Sequence, residues 1–462
     1  MSFNSINSYG PTAYLAFCVT SIVVLKAVNE AVLEPYMDEP FHVPQAQAYC
    51  RQEYSYWDPK ITTPPGLYVL SLVLKRAFLL KCNLAMLRLT PLLALTMLPI
   101  ALTGLLCFHK RERPPASLFV PIPEAVILSA FPIAWFFGFL YYTEVPSLVF
   151  VVLTVLAATQ GKHWRAALLG AVSCTFRQTN IVWVLYAYAT SQLVQLRFRR
   201  ATDTRDRLHD PPALDATPVD LLWSIASFPG VLPQILPPFV PYSAVLAAFG
   251  AFVVWNGGIV LGDKSNHIPA FHIPQLYYFV GFATIMGWPV LIAGEGGVLS
   301  LARGVWHKMS GSRRNVLFTG AAFAFMAWSI HQFTIHHPFL LADNRHYTFY
   351  VWRRVFLLHP LVPYLLIPGY VACAWAWYIR IGRDQTLLQN LLVPLFVIPT
   401  LLPTPLLEPR YFLVPYILLR AQVSDVPIWG VALEGLWYAA INAVTMWVFL
   451  YKEREGVGRF MW

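Results

Sequence analysis

Charge is scarce in this sequence. Asp, Glu, Lys and Arg make up 12% of its 462 residues, about half the share of an ordinary soluble domain. A disordered chain is excluded as well, since disorder pairs low hydrophobicity with high charge, and here 57% of residues are hydrophobic. Cysteine is sparse. Cys18, Cys50, Cys82, Cys107, Cys174 and Cys373 form no Cys-x-x-Cys pair and no Cys/His spacing suited to zinc, so they are read as buried thiols. There is no Asn-x-Ser/Thr sequon to mark one side of a membrane. No Asp-x-Asp pair is present either, and no internal repeat of fixed period, which argues against a transporter built from two related halves.

What the sequence has in abundance is apolar length. Runs suited to a spanning helix of about 20 residues lie at 11–33, 66–80, 84–108, 122–140, 145–160, 166–196, 221–261, 276–301, 316–335, 355–379, 387–407 and 411–450. The first is too long, and too polar at its end (Lys26, Asn29, Glu30), for a cleaved signal peptide. The alternation of a membrane barrel is absent, and an open sheet cannot satisfy its backbone in lipid. The expectation is an all-α polytopic membrane protein, one multi-spanning domain over residues 1–462, with about 11–14 spans once the longest runs are divided.

The net charge of +10 would raise nucleic acid as a partner in a soluble protein. In a chain built for the lipid bilayer it reads instead as Lys and Arg gathered on the cytoplasmic side, with no nucleic-acid partner. Clusters fall at 75–88, 110–113, 162–165, 197–207, 303–314, 380–383 and 452–459. Residues 197–220 are expected to form a cytoplasmic loop. The loops at 34–65, 262–275, 338–354 and 407–411 mix acids, His, Asn, Trp and Pro with fewer cations, and are assigned to the opposite face. One conflict arises: placing 75–88 and 110–113 on one side requires the apolar run between them not to cross, or to cross twice.

Chemistry concentrates in those loops. Adjacent Asp38 and Glu39, directly after a membrane helix, suit a general base working on a membrane-anchored substrate. They equally suit solvated loop charges or the cap of a short helix. Trp57 has the flat apolar face that stacks on a sugar ring. Glu144, between two apolar runs, sits either in a cavity or at a hydrated helix end. Arg177 interrupts an apolar stretch, so it meets a phosphate or snorkels to the headgroups. Asp263, with His267 and His272, makes a weak metal motif and a better polar groove. Arg345 and His346 lie in the richest polar stretch and suit clamping a phosphate. Glu408 and Arg410 read first as a structural ion pair.

Taken together, EPYMDEPFHVPQAQAYC, WDPKITTPPGLY, YYTEVPS, FRQTNIVW, NGGIVLGDKSNH, HIPQLYYF, LLADNRHYTFYVWRRVF, LLEPRYFLVPY and the terminal RFMW resemble one family. It is the endoplasmic-reticulum α-1,2-glucosyltransferases that use dolichyl-phosphate-glucose. The blocks run in order from Glu34 to Trp462; LLADNRHYTFYVWRRVF is the most specific. Pro40 departs from the pattern, where an aliphatic residue is expected. The resemblance implies a GT-C-type enzyme of the endoplasmic-reticulum membrane with its site facing the lumen. It implies transfer of the third, terminal glucose from dolichyl-phosphate-glucose to a dolichyl-diphosphate-linked oligosaccharide, with inversion. It further implies Asp38 as base with Glu39 second, Arg345, His346, Arg410 and Arg177 for the donor phosphate, and Glu144, Asp263 and Trp57 for acceptor sugars. No metal or cofactor is expected. Two other readings stand beside it. One is a different dolichol-dependent GT-C transferase, such as a mannosyltransferase; the other is a transporter or channel-associated protein, which the loop-borne polar groups favour less.

Overall fold

A computed structural model describes residues 10–117, 119–198, 207–265 and 268–462. Among these, regular structure is helical, and β-pairing is confined to isolated bridges. Seven helices are long and apolar enough to cross a membrane: Gly10–Ala31, Leu84–Lys110, Pro218–Asn256, Pro274–Ile292, Arg313–Phe333, Val362–Gly382 and Ile428–Tyr451. Glu144–Thr159 and Leu387–Leu401 are apolar but shorter. The polytopic all-α architecture is thus present, with fewer full-length helices among the described residues than the 11–14 spans expected.

The reason lies in how the runs break. The run at 122–140 splits into Pro123–Ser129 and Pro132–Phe137, each carrying a proline in its first turn, where the lost N–H has no intrahelical partner anyway. The run at 66–80 yields only Gly66–Phe78, roughly 20 Å at 1.5 Å per residue. The run at 166–196 is cut by the 3-10 turn Gln178–Asn180. In contrast, the run at 221–261, expected to divide, stays within one 39-residue helix, Pro218–Asn256.

The chain divides into two compact units. The first comprises Met1–Ser191, Leu236–Ile268 and Tyr438–Arg459. Its loop-bearing end rests on a buried cluster that includes Val43, Tyr49, Leu67, Tyr68, Tyr141 and Phe176; each such side chain contributes about 1.5–3 kcal/mol by leaving water. The second comprises Gln192–Ile235, Pro269–Trp437 and Phe460–Trp462, with Met326, Ile330 and Ile367 packed among Tyr277, Tyr364 and Tyr370.

One sequence-based expectation is corrected here. Cys50 and Cys82 are not buried thiols. They form a disulfide, with Cα atoms 6.6 Å apart, across 32 residues of chain. The Lys75 ammonium donates to the Cys50 carbonyl at 2.9 Å, and Arg88 is buried against the first loop. Leu84–Lys110 follows as one apolar stretch long enough to cross a membrane.

The described part of the 197–220 linker, from 207 onward, is held in the second unit; residues 199–206 lie outside the described residues. The Asp210 carboxylate accepts the Leu388 N–H at 2.9 Å, and the Ala213 N–H donates to the Gln385 carbonyl at 3.0 Å.

Candidate active site

In the first unit, the chain leaves the Gly10–Ala31 helix and turns through Met37, whose φ of 59° is left-handed and costs a non-glycine residue about 1–2 kcal/mol. That turn delivers Asp38 as the N-cap residue of Glu39–Cys50. Pro40 falls in the first turn of this helix, a position that asks for no N–H and suits proline's φ. The departure from the family pattern is therefore absorbed without disturbing the backbone around the two acids.

The environments of those acids differ sharply. Glu39 is 0% exposed. Arg88 grips it from both sides, Nε to Oε1 at 2.9 Å and Nη2 to Oε2 at 2.6 Å. The N–H groups of Tyr141 (2.7 Å) and Tyr36 (3.0 Å) donate to the same two oxygens. The third nitrogen of Arg88 donates to the Val32 carbonyl at 2.9 Å and to Asn29 Oδ1 at 3.2 Å. A buried charge pair is tolerable only when its remaining valences are filled in this way.

Asp38 is half-buried, and its side chain does not cap its own helix. Its N–H donates to the Tyr142 hydroxyl at 2.9 Å. One helical turn on, His42 Nδ1 lies 2.6 Å from the Tyr68 hydroxyl, and its ring sits 6.2 Å from that of Tyr142. A carboxylate, an imidazole and two phenols are thus gathered at the start of one helix.

Trp57 is built into the adjoining core. Its indole N–H donates to the Ile61 carbonyl at 3.3 Å, and its ring edge meets Tyr68 at 6.2 Å. Asp263 is exposed and lies alongside that loop: its N–H donates to the Pro59 carbonyl at 2.7 Å, and the Leu261 N–H donates to the Thr62 carbonyl at 3.2 Å. Gly262 between them has φ 60°, and a Cβ there would run into the carbonyls of Pro59 and Ile61, so only glycine permits the approach. His267 lies outside the described residues.

Glu144 opens the Glu144–Thr159 helix and is buried. Its partner is Arg177, the ion pair joining two residues assigned from sequence to separate tasks. The turn after Arg177 is tied down by Asn180, which donates to Ser147 Oγ and the Ser173 carbonyl, both at 2.8 Å. Gln178 donates to the Thr62 carbonyl at 2.6 Å.

In the second unit, Arg345 and His346 converge on Asp343. Arg345 Nε and Nη2 reach the carboxylate at 2.8 and 2.6 Å, and His346 Nε2 lies 3.5 Å from Oδ2. Burial opposes ionisation of Asp343. The Arg345 side chain and N–H outweigh it, so the carboxyl sits below its ordinary pKa. Arg410 pairs in the same way with Glu408. Each arginine expected to meet a phosphate therefore has its fork held by a nearby acid, while about a quarter of the Arg345 and Arg410 side chains stays exposed. Among the described residues, no group of three His, Cys, Asp or Glu converges as a metal site.

The family model described as the DIE2/ALG10 family matches residues 32–421. The chain belongs to that family. A Rattus norvegicus relative is 36% identical over 475 residues, covering 96% of both chains. A Drosophila melanogaster relative is 34% identical over 448 residues, covering 95% of each. An Arabidopsis thaliana relative is 30% identical over 514 residues, covering 96% of this chain and 98% of its own. All three are named Dol-P-Glc:Glc(2)Man(9)GlcNAc(2)-PP-Dol alpha-1,2-glucosyltransferase. No solved structure matches the chain.

Several residues around Asp38 and Glu39 escaped the sequence reading. His42 was legible in principle, four residues after Asp38 on the same helix face. Arg88 was not, because a buried partner for Glu39 looks like any other cation in a Lys/Arg run. Tyr142 stands two residues before Glu144 in sequence, yet its hydroxyl accepts the Asp38 N–H.

Proposed function

We propose that this chain transfers glucose from dolichyl-phosphate-glucose to a diglucosylated, dolichyl-diphosphate-linked oligosaccharide, forming an α-1,2 linkage at the lumenal face of the endoplasmic reticulum. The observation that carries this reading is the near end-to-end likeness to relatives of that name. The Cys50–Cys82 disulfide supports the lumenal placement of the first loop, since such bonds persist in oxidising compartments.

The chemistry assigns the two acids different work. The acceptor hydroxyl attacks the anomeric carbon from the face opposite the phosphate. The carbon–oxygen bond to phosphate breaks, and dolichyl phosphate leaves with the electron pair. Asp38 takes the hydroxyl proton. Its partial exposure beside Tyr142 and His42 supports that role, whereas Glu39, locked to Arg88, positions the loop. Developing negative charge on the phosphate calls for cations held in advance of the reaction. Arg345, backed by Asp343, and His346 are assigned to it, with Arg410 as a second cation. Glu144 and Arg177 hold the turn that braces the first loop. Asp263 and the Trp57 loop are assigned to the acceptor. The GT-C class follows from the sequence resemblance.

The test is sugar transfer by purified protein in detergent, offered dolichyl-phosphate-glucose or dolichyl-phosphate-mannose with the diglucosylated acceptor. Transfer from the glucosyl donor alone is expected. Transfer from the mannosyl donor alone would replace this reading with that of a mannosyltransferase.

A further inference from the structure

Phe460, Met461 and Trp462 are all buried, at 8%, 2% and 8% exposure, and they lie beside the stretch that carries Arg345 and His346. The Met461 N–H donates to the Arg345 carbonyl at 2.8 Å, and His346 and Met461 form a parallel bridge. His346 Nδ1 lies 2.6 Å from the Trp462 carbonyl. The Tyr347 ring is flanked by Phe460 and Trp462, each centroid 4.6 Å away, and Tyr350 meets Phe460 at 6.1 Å.

These contacts have a chemical consequence for His346. A carbonyl oxygen can only accept, so the Trp462 carbonyl requires a proton on Nδ1 and thereby holds the ring's plane. The other nitrogen then faces the Asp343 carboxylate, which also grips Arg345. The Met461 bond fixes the backbone of Arg345 one residue earlier. Without the strap, the short helix Tyr347–Val351 is too brief to define its own N-terminal residues.

We infer that Phe460, Met461 and Trp462 are positioning residues: they form a strap that sets the orientation of His346 and Arg345 toward the donor phosphate. This rests on the phosphate role assigned above to those two residues. The strap itself touches no substrate.

The experiment measures glucose transfer at varied donor concentration in full-length protein. It compares wild type with Trp462→Ala, Trp462→Phe, Met461→Pro, His346→Ala and the double variant Trp462→Ala/His346→Ala. Trp462→Ala is expected to raise the donor KM about tenfold while the acceptor KM holds, and Trp462→Phe to restore the donor KM by refilling the slot beside Tyr347. Met461→Pro, which removes that N–H along with the buried Met side chain and fixes φ, is expected to raise the donor KM in the same direction and serves if the alanine variant does not fold. The double variant should be no worse than His346→Ala alone, because residues acting through one group are not additive. An unchanged donor KM in folded Trp462→Ala and Met461→Pro would overturn the inference, as would fully additive losses in the double variant. Failure of wild type to use the glucosyl donor at all would instead overturn the proposed function, so the two failures are distinguishable.

Discussion

At the scale of single residues, two adjacent carboxylates of like chemistry are separated by what surrounds them. Glu39 is satisfied by a guanidinium and two backbone N–H groups in full burial. Removing one partner from such a pair leaves an uncompensated buried charge, at a cost of about 3–5 kcal/mol. Glu39→Gln is therefore expected to lower the thermal midpoint markedly, and Glu39→Gln/Arg88→Met to be less damaging than the two single changes summed, as read by thermal unfolding in detergent. A Glu39→Gln protein of normal stability that had lost all turnover would show that Glu39, and not its neighbour, is the base. The acid pair was visible in the sequence. The difference in their surroundings was not, because it depends on Arg88, 49 residues away and hidden in a run of cations.

At the scale of elements, the Glu39–Cys50 helix is pinned at both ends. At one, the Asp38 N–H is tied to the Tyr142 hydroxyl, and Cys50 closes the other through Cys82. Closing a loop of this length restricts the unfolded chain by about 2–4 kcal/mol. Cys50→Ser/Cys82→Ser should lower the midpoint accordingly, and reductant should do the same to wild type while leaving the double variant unmoved. The disulfide was illegible because spacing alone cannot distinguish a cross-link from two buried thiols, and both cysteines border apolar runs. A second element carries a pH dependence. His272 is fully buried, its Nδ1 3.1 Å from the Pro405 carbonyl and its N–H bonded to the Leu402 carbonyl. Burial depresses its pKa from 6.5 to about 4. The unfolded chain therefore binds the extra proton first, and stability declines as pH falls below about 6.5, levelling off below about 4. Thermal midpoints measured across pH 7 to 4 should fall less in His272→Gln than in wild type. An identical acid profile would contradict this assignment.

At the scale of the whole molecule, hydropathy made the membrane class and the helical fold legible, because few charges and long apolar runs admit no other backbone solution in lipid. The number of full-length helices was less legible. Prolines at 123 and 132 and the polar turn at 177–180 cut apolar runs whose composition alone looks continuous. Charge counting is also blind to partners: Lys75 and Arg88, within the 75–88 cluster, are held by the first loop. The motif blocks were the most informative feature, since they pointed to the family whose model matches residues 32–421.

The most direct test of the account is glucose transfer by Asp38→Asn beside wild type, with donor binding measured on the same samples. Asparagine keeps the size of the side chain and removes its basicity. Loss of a positioned base is expected to lower turnover by about 10²–10⁴-fold, with donor affinity and thermal midpoint retained. Near-normal turnover in Asp38→Asn would contradict the account at its centre.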